Sequence, residues 1–221
     1  MKFSAVLFDC DGVLVDSEHI SNNVLREMLE ELGLRMTQHE VGIHFNGKTM
    51  KDELHWISCQ VGKGLPKDWL SEFWQRRNAM LSLHLEPIPN AKQAVQLIHD
   101  RYSGFIACAS GGDRQKIELQ LTKVGLIKFF NNRVFSGYEV TLSKPAPDVY
   151  LKAAYVLGVD PSKCAVIEDS VTGVQAGVAA GATVFGFLNP EDKFGLTSAE
   201  ELLEAGAWSL FTDMNALPDL L

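Results

Sequence analysis

Asp9 and Asp11, two residues apart in Phe8-Asp9-Cys10-Asp11-Gly12, are the first pair whose types and spacing could do chemistry. In extended chain, residues i and i+2 point the same way, so both carboxylates can face one site. Gly12 allows a tight exit from a strand. Carboxylates this close repel, so a cation or a shared proton must offset them. Chance alone supplies about one Asp-x-Asp pair in a chain of this composition, and two solvated loop carboxylates explain the pair equally well. Glu168-Asp169-Ser170 is a second acidic group, at the end of an apolar run. Ser170 suits a helix N-cap, and the acids suit a hard cation. Oxygen ligands from Asp9, Asp169 and a main-chain carbonyl fit Mg²⁺, which commonly keeps waters and a substrate phosphate. Ser110-Gly111-Gly112-Asp113 has small residues that let backbone N–H groups approach an anion at a helix N-terminus. Lys144 lies in Ser143-Lys144-Pro145-Ala146-Pro147, where the prolines restrict the chain. Beside several Asp, it would balance charge and hold a phosphate as a point cation. Taken singly, a cap, a common turn and a surface lysine explain the last three.

These residues span 160 positions, so the elements between them must bring them together. Ala5–Phe8 is a short apolar run that ends at Asp9 and reads as a buried strand. Asp16 or Ser17 can cap the helix that follows, with Ile20, Val24, Leu25, Met28, Leu29 and Leu32 at helical spacing and Gly33 closing it. The pattern stays helical to about Pro87, and no strand is expected there. After Pro87 helices and strands alternate. Helices are expected over 91–101 (capped by Asn90), 113–124, 147–157 and 171–180 (capped by Ser170). Strands are expected over 104–109, 133–135, 164–167, 183–187 and 208–211. The alternation predicts an α/β protein. A Rossmann-like parallel-sheet core (residues 1–16 and 88–221) would carry an inserted all-α unit (17–87). Ligands of such sheets collect beyond the carboxyl ends of the strands, where Asp9, Asp11, Ser110, Glu168 and Asp169 fall.

At 221 residues the chain suits one domain, or one with an insertion. A net charge of −8 disfavours a nucleic-acid partner. Mean hydropathy is +0.01, and no uncharged apolar run approaches the ~20 residues of a membrane span. The N-terminal run is too short and too acidic for a signal peptide, so a cytoplasmic protein is expected. Cys10, Cys59, Cys108 and Cys164 lack zinc or CxxC spacing and read as free thiols of a reducing compartment. The carboxylates flanking Cys10 are expected to raise its pKa and exclude it as a nucleophile.

Four ordered motifs resemble the haloacid dehalogenase-like hydrolase superfamily. They are FDCDGVLVDSE at Phe8 to Glu18, Ser110 in CASGG, Lys144 in SKPAPDVY, and VIEDSVTGVQAGVAAG at Val166 to Gly181. The likeness is to the branch of β-phosphoglucomutase and many sugar-phosphate phosphatases, whose helical cap lies between the first two motifs. The resemblance implies that Asp9 attacks phosphorus to form an aspartyl-phosphate. It implies that Asp11 protonates the leaving oxygen and then activates water. Mg²⁺ would be held by Asp9, the Asp11 main-chain carbonyl and Asp169, with Glu168 assisting, and Ser110, Gly111 and Lys144 would bind the phosphoryl oxygens. The implied partner is a small phosphorylated substrate, with no nucleic acid or membrane, for a monomer or weak homodimer.

Ser21 stands where the mutase relatives have a cap His, and Met50 where they have a cap Arg. Both departures favour a phosphatase over a phosphomutase. A dehalogenase needs neither Asp11 nor the Glu168-Asp169 pair, and a phosphometabolite-binding module without turnover is the reading from a different class. The cap would set specificity, with Lys48, Lys51 and His19 as candidates beside His44, Asn46 and Arg76 or Arg77. Lys48 and Lys51 are expected to meet a second anionic group, so acidic sugar phosphates such as 6-phosphogluconate join simple sugar phosphates as expected substrates. Trp56, Trp69, Phe73 and Trp74 are expected to pack the cap core.

Overall fold

A computed structural model describes residues 2–45, 48–190 and 197–221. The chain opens with β1 (Ala5–Phe8) and the two-residue β2 (Val15–Asp16). Four helices follow: α1 (Glu18–Glu31), α2 (Gln38–Phe45), α3 (Met50–Val61) and α4 (Trp69–His84). β3 (Glu86–Pro87) then returns antiparallel to β2. Next come α5 (Ala91–Arg101), β4 (Ile106–Ser110), α6 (Arg114–Lys123), α7 (Ile127–Phe130) and β5 (Val134–Ser136). The chain ends with α8 (Asp148–Leu157), β6 (Cys164–Glu168), α9 (Val171–Ala179), β7 (Thr183–Phe187), α10 (Ala199–Glu204), β8 (Ser209–Phe211) and α11 (Leu217–Leu220).

Six strands form one parallel sheet in the order β5-β4-β1-β6-β7-β8. Side chains alternate across it, as strand geometry requires. Val6, Phe8, Ile106, Cys108, Ala165 and Ile167 enter one apolar cluster, and Ala5, Leu7, Ala107, Ala109, Cys164 and Val166 enter the other. Burial on both faces is why these strands read as continuous apolar runs rather than alternating ones. The chain goes from β1 to β4 on one side and to β6 on the other, so the strand order reverses at β1. Phe8 lies opposite Cys108 in β4 and Ile167 in β6, so Asp9, Ser110 and Glu168 leave the sheet side by side.

The helices α1 to α4 have their own apolar cluster around Leu25, Met28, Ile57, Trp69 and Phe73. Trp69 and Phe73 are buried in it, whereas Trp56 and Trp74 pack at its edge.

Some local expectations are corrected. Neither β2 nor β3 is expected from the sequence, because a two-residue ladder is too short to show a period. Ser17 precedes α1 without capping it, and its hydroxyl donates to Asp11 instead. Asn90 takes φ 63° and makes no side-chain cap. Ser170 does cap, accepting from Gly173 N at 3.1 Å. Among the described residues no helix is long and apolar enough to cross a membrane.

Candidate active site

Asp9 follows β1, and its main-chain N–H donates to Ile167 O of β6 at 3.0 Å. The Lys144 ammonium donates to Asp9 Oδ1 and Glu168 Oε1, both at 2.5 Å, and to the Tyr150 hydroxyl at 2.9 Å. Tyr150 in turn donates to Glu168 Oε1 at 2.6 Å. The Lys144 side chain is 6% exposed and that of Glu168 0%. Burial alone would lower the Lys144 pKa, but Asp9 and Glu168 outweigh it and hold the amine charged. Glu168 Oε2 accepts from Asp169 N (3.1 Å), Ser170 N (3.4 Å) and Ser170 Oγ (3.1 Å), so both Glu168 oxygens are engaged.

Asp9, Glu168 and Asp169 each bring an oxygen within 4.8 Å of the others. Three carboxylates, two of them buried and paired with Lys144, thus gather beside one ammonium. Burial pushes Asp9 up to about 7; Lys144 opposes this, and Glu168 and Asp11 add to it. Burial, then Glu18 and Glu168, push Asp169 well above the carboxylate range. A hard divalent cation would relieve both, and an all-oxygen donor set is what such a cation takes. The residues present therefore fit a metal. Gly12 makes room for this arrangement. Its φ is +74°, and a Cβ there would overlap the Asp169 carboxylate.

The Asp11 carboxylate lies outside that cluster, although it lines the same cavity. Lys116 Nζ meets its Oδ1 at 2.7 Å, and Gln120 Nε2 donates to the same oxygen at 2.8 Å. Ser17 Oγ also donates to Oδ1, and Ser110 Oγ donates to Oδ2 at 3.4 Å. Burial would raise its pKa, but Lys116 and these hydrogen bonds hold it well below the usual carboxylate range. Sequence reasoning missed Lys116, Gln120 and Tyr150. Lys116 and Gln120 are four apart and share a face of α6, which was the available signal. Tyr150 stands inside SKPAPDVY, six residues after Lys144.

Cys10 is buried, and its thiol pKa is raised as expected. The larger causes are a hydrogen bond with Cys108 and burial, ahead of the flanking carboxylates.

A cavity of about 150 Å³ joins the sheet rim to the helical insert. Gly111 lines it beside Ser110. Of the cap candidates, Lys48 and Arg77 line it. Lys51 is exposed, and His19 bonds Asp16 at 3.2 Å; neither lines the cavity. His44 stacks on Trp56 at 3.8 Å, and Arg76 bonds Glu31 and Glu72. Asn46 lies outside the described residues.

The profile of the family described as haloacid dehalogenase-like hydrolase matches residues 3–181. The chain belongs to this superfamily. This hydrolase is 31% identical over 194 residues to the 6-phosphogluconate phosphatase of Escherichia coli K12, covering 87% of this chain and 86% of that one. It is 30% identical to the fructose-1-phosphate phosphatase YqaB of the same organism, over 81% and 94% of the two chains. A HAD family hydrolase from Deinococcus radiodurans R1, solved with bound phosphate and sodium, superposes with a TM-score of 0.76 at 35% identity, covering 100% of this chain and 98% of that one. These relatives place the hydrolase in the phosphatase branch of its superfamily.

Proposed function

We propose that this hydrolase is a Mg²⁺-dependent phosphatase of a small phosphomonoester of the sugar-phosphate class, working through an aspartyl-phosphate on Asp9. The observation that carries the reading is the meeting of buried Asp9, Lys144 and Glu168 with Asp169 beside Ser110 at one sheet rim. Residues 17–87 act as the cap over a core of 1–16 and 88–221, and closing it excludes water from the cavity. Lys144, Ser110 and the Gly111 backbone hold the phosphoryl oxygens. An Asp9 oxygen attacks phosphorus, and the leaving alkoxide takes a proton from Asp11. Asp11 then removes a proton from water, which attacks the acyl phosphate and frees both phosphate and Asp9. To carry a proton, Asp11 must first part from Lys116, which holds it ionised here. Mg²⁺, held by Asp9, Asp169 and the Asp11 carbonyl with Glu168 in support, would neutralise charge as carboxylate and phosphate approach.

Ser21 and Met50 both line the cavity, so the groups the mutase resemblance requires at those positions are not supplied. This favours water as the acceptor. The assignment goes with a cytoplasmic monomer or weak homodimer whose partner is a small phosphorylated molecule, not nucleic acid or membrane. Phosphate release from a panel of sugar phosphates, with and without chelator, tests it. Release that stops with EDTA is expected, and no release from any phosphomonoester overturns the reading.

Two further results are expected. Burial pushes folded Asp9 up to about 7 from an ordinary 3.8, which favours a proton on the folded metal-free protein that the unfolded chain has lost. The stability associated with that proton is present below pH ~4 and is lost as pH rises towards ~7. Mg²⁺ must displace the proton, so it should raise Tm more at about pH 8 than at about pH 5. Thermal melts at both pH values check this, and an equal or reversed Mg²⁺ shift contradicts it. For the cap, Lys48→Ala is expected to raise KM by roughly threefold to tenfold, as for loss of one binding contact. Lys51→Ala and His19→Ala are expected to leave KM unchanged, because neither residue lines the cavity.

A further inference from the structure

We infer that Gln120 is a positioning residue for proton transfer. It holds Asp11 Oδ1 from outside the cavity, so that Asp11 Oδ2 is the oxygen that gives a proton to the leaving group and takes one from water. The inference rests on the phosphatase reading and goes beyond it.

Gln120, on α6, is 0% exposed and does not line the cavity. Its neighbours Ile117 and Leu121 are buried in the apolar cluster shared with β1 and β4, which fixes this face of the helix. A buried amide is costly unless its polar ends are bonded. Here both ends are, and to consecutive residues. Nε2 donates to Asp11 Oδ1 at 2.8 Å, and Cys10 Sγ donates to Oε1 at 3.5 Å. The partners set which way the amide points, since an ionised carboxylate only accepts and needs the NH₂ end, while the thiol can donate to the oxygen. Oδ1 accepts from Nε2 equally when Asp11 carries a proton on Oδ2. A proton on Oδ1 would instead meet that N–H.

Three donors converge on Oδ1: Gln120 Nε2, Lys116 Nζ at 2.7 Å and Ser17 Oγ. Among the described residues Oδ2 has one, Ser110 Oγ at 3.4 Å. Oδ2 lies beside the Ser110–Gly112 turn, which lines the cavity, and a Cβ on Gly112 would stand 3.7 Å from it. Asp11 is thus anchored by one oxygen and open at the other. The anchors differ in kind. Lys116 and Ser17 line the cavity. Lys116 has to part from Asp11 before a proton is carried, and Ser17 leads into the helical insert. Gln120 belongs to the sheet-bearing core, so its bond persists through both half-reactions. In the first, the Asp9–phosphorus bond forms and the bond to the leaving oxygen breaks. That oxygen keeps the electron pair and takes the Oδ2 proton. In the second, water attacks the acyl phosphate and returns a proton to Oδ2.

The test compares the full chain with Gln120→Met, which has a similar shape and no donor, under saturating Mg²⁺. The substrates are p-nitrophenyl phosphate and whichever sugar phosphate the wild type hydrolyses fastest. Nitrophenolate leaves without a proton, whereas a sugar alkoxide needs one. The quantity read is kcat/KM, which covers the steps up to the acyl phosphate. It is expected to fall by about tenfold or more on the sugar phosphate and by less than about threefold on p-nitrophenyl phosphate, because a displaced general acid matters only where its proton is required. A packing defect would lower both alike. Asp11→Asn supplies a second measure that needs no aryl substrate. Adding Gln120→Met to it is expected to change kcat/KM on the sugar phosphate by less than about twofold, since residues that act as one unit are not additive. An equal fall on the two substrates, an unchanged rate on the sugar phosphate, or full additivity with Asp11→Asn overturns the inference. Should Gln120→Met not fold, Gln120→Asn, which keeps the amide and shortens its reach, is read by the same criteria. If the wild type hydrolyses a sugar phosphate while the variants miss these criteria, only this inference falls. If it hydrolyses no phosphomonoester, the phosphatase reading falls, and this inference with it.

Discussion

Asp9→Asn is expected to reduce phosphate release on the order of 10⁴-fold or more, the scale seen when a covalent nucleophile is removed. An amide oxygen is a poor nucleophile and cannot form the acyl phosphate on which the second half-reaction depends. The fold should survive. Burial and the neighbouring acids already push Asp9 towards its neutral form, so a neutral amide of the same shape removes repulsion from the site while leaving Lys144 an uncharged carbonyl acceptor in place of a carboxylate. Tm without metal is therefore expected to hold or rise slightly, and the Mg²⁺-dependent rise to shrink. Activity and melting measured on one preparation separate lost chemistry from lost structure. Activity within tenfold of the parent would remove Asp9 from the nucleophile role. Asp11→Asn is the companion case. It should lose about 10²- to 10⁴-fold, the usual scale for a general acid–base, while substrate binding persists. A protein that only sensed a phosphometabolite would keep its whole function in this variant.

Lys144→Met should have the largest effect on stability. Its ammonium is the shared partner of Asp9 Oδ1, Glu168 Oε1 and the Tyr150 hydroxyl, in a place almost closed to water. Removing one member of a buried ion pair leaves an uncompensated charge and typically costs about 3–5 kcal/mol. That is a large part of the roughly 5–15 kcal/mol that holds a folded protein together. The loss should lessen as pH falls, because Asp9 can then protonate and remove its own charge. Lys144→Met/Glu168→Gln should recover part of it, since the second change removes a stranded carboxylate. Urea titrations at about pH 6 and pH 8 give the comparison. A loss below about 1 kcal/mol at both would mean that the ammonium is not the counterion of this cluster. Phosphate release should fall by about 10²-fold or more in either variant, as for loss of one charge-stabilising donor.

Much of this site was legible because parallel strands announce themselves. A run buried on both faces stays apolar to its last residue, so its end is visible, and Asp9, Ser110, Glu168 and Asp169 are the residues at or just past those ends. The helix signals held where a side chain had only the backbone to answer, as with Ser170. They failed where another group competed for it, as with Ser17, whose hydroxyl goes to Asp11.

The identity of each charge's partner was not legible. Arg76 and Arg77 are adjacent, yet one bonds Glu31 and Glu72 while the other is buried against Asp113. Lys48 lines the cavity and Lys51, three residues on, does not. Lys116 and Gln120 reach Asp11 across more than a hundred residues. The amino-acid sequence by itself determined which strands form the six-stranded sheet, which acids stand at their ends and that a helical unit interrupts it, since each follows from local polarity and spacing. Tertiary structure decided which cation neutralises which acid, and so which charges are left for a substrate. Ion pairing depends on the direction and burial of side chains brought together by packing, and no local period encodes that.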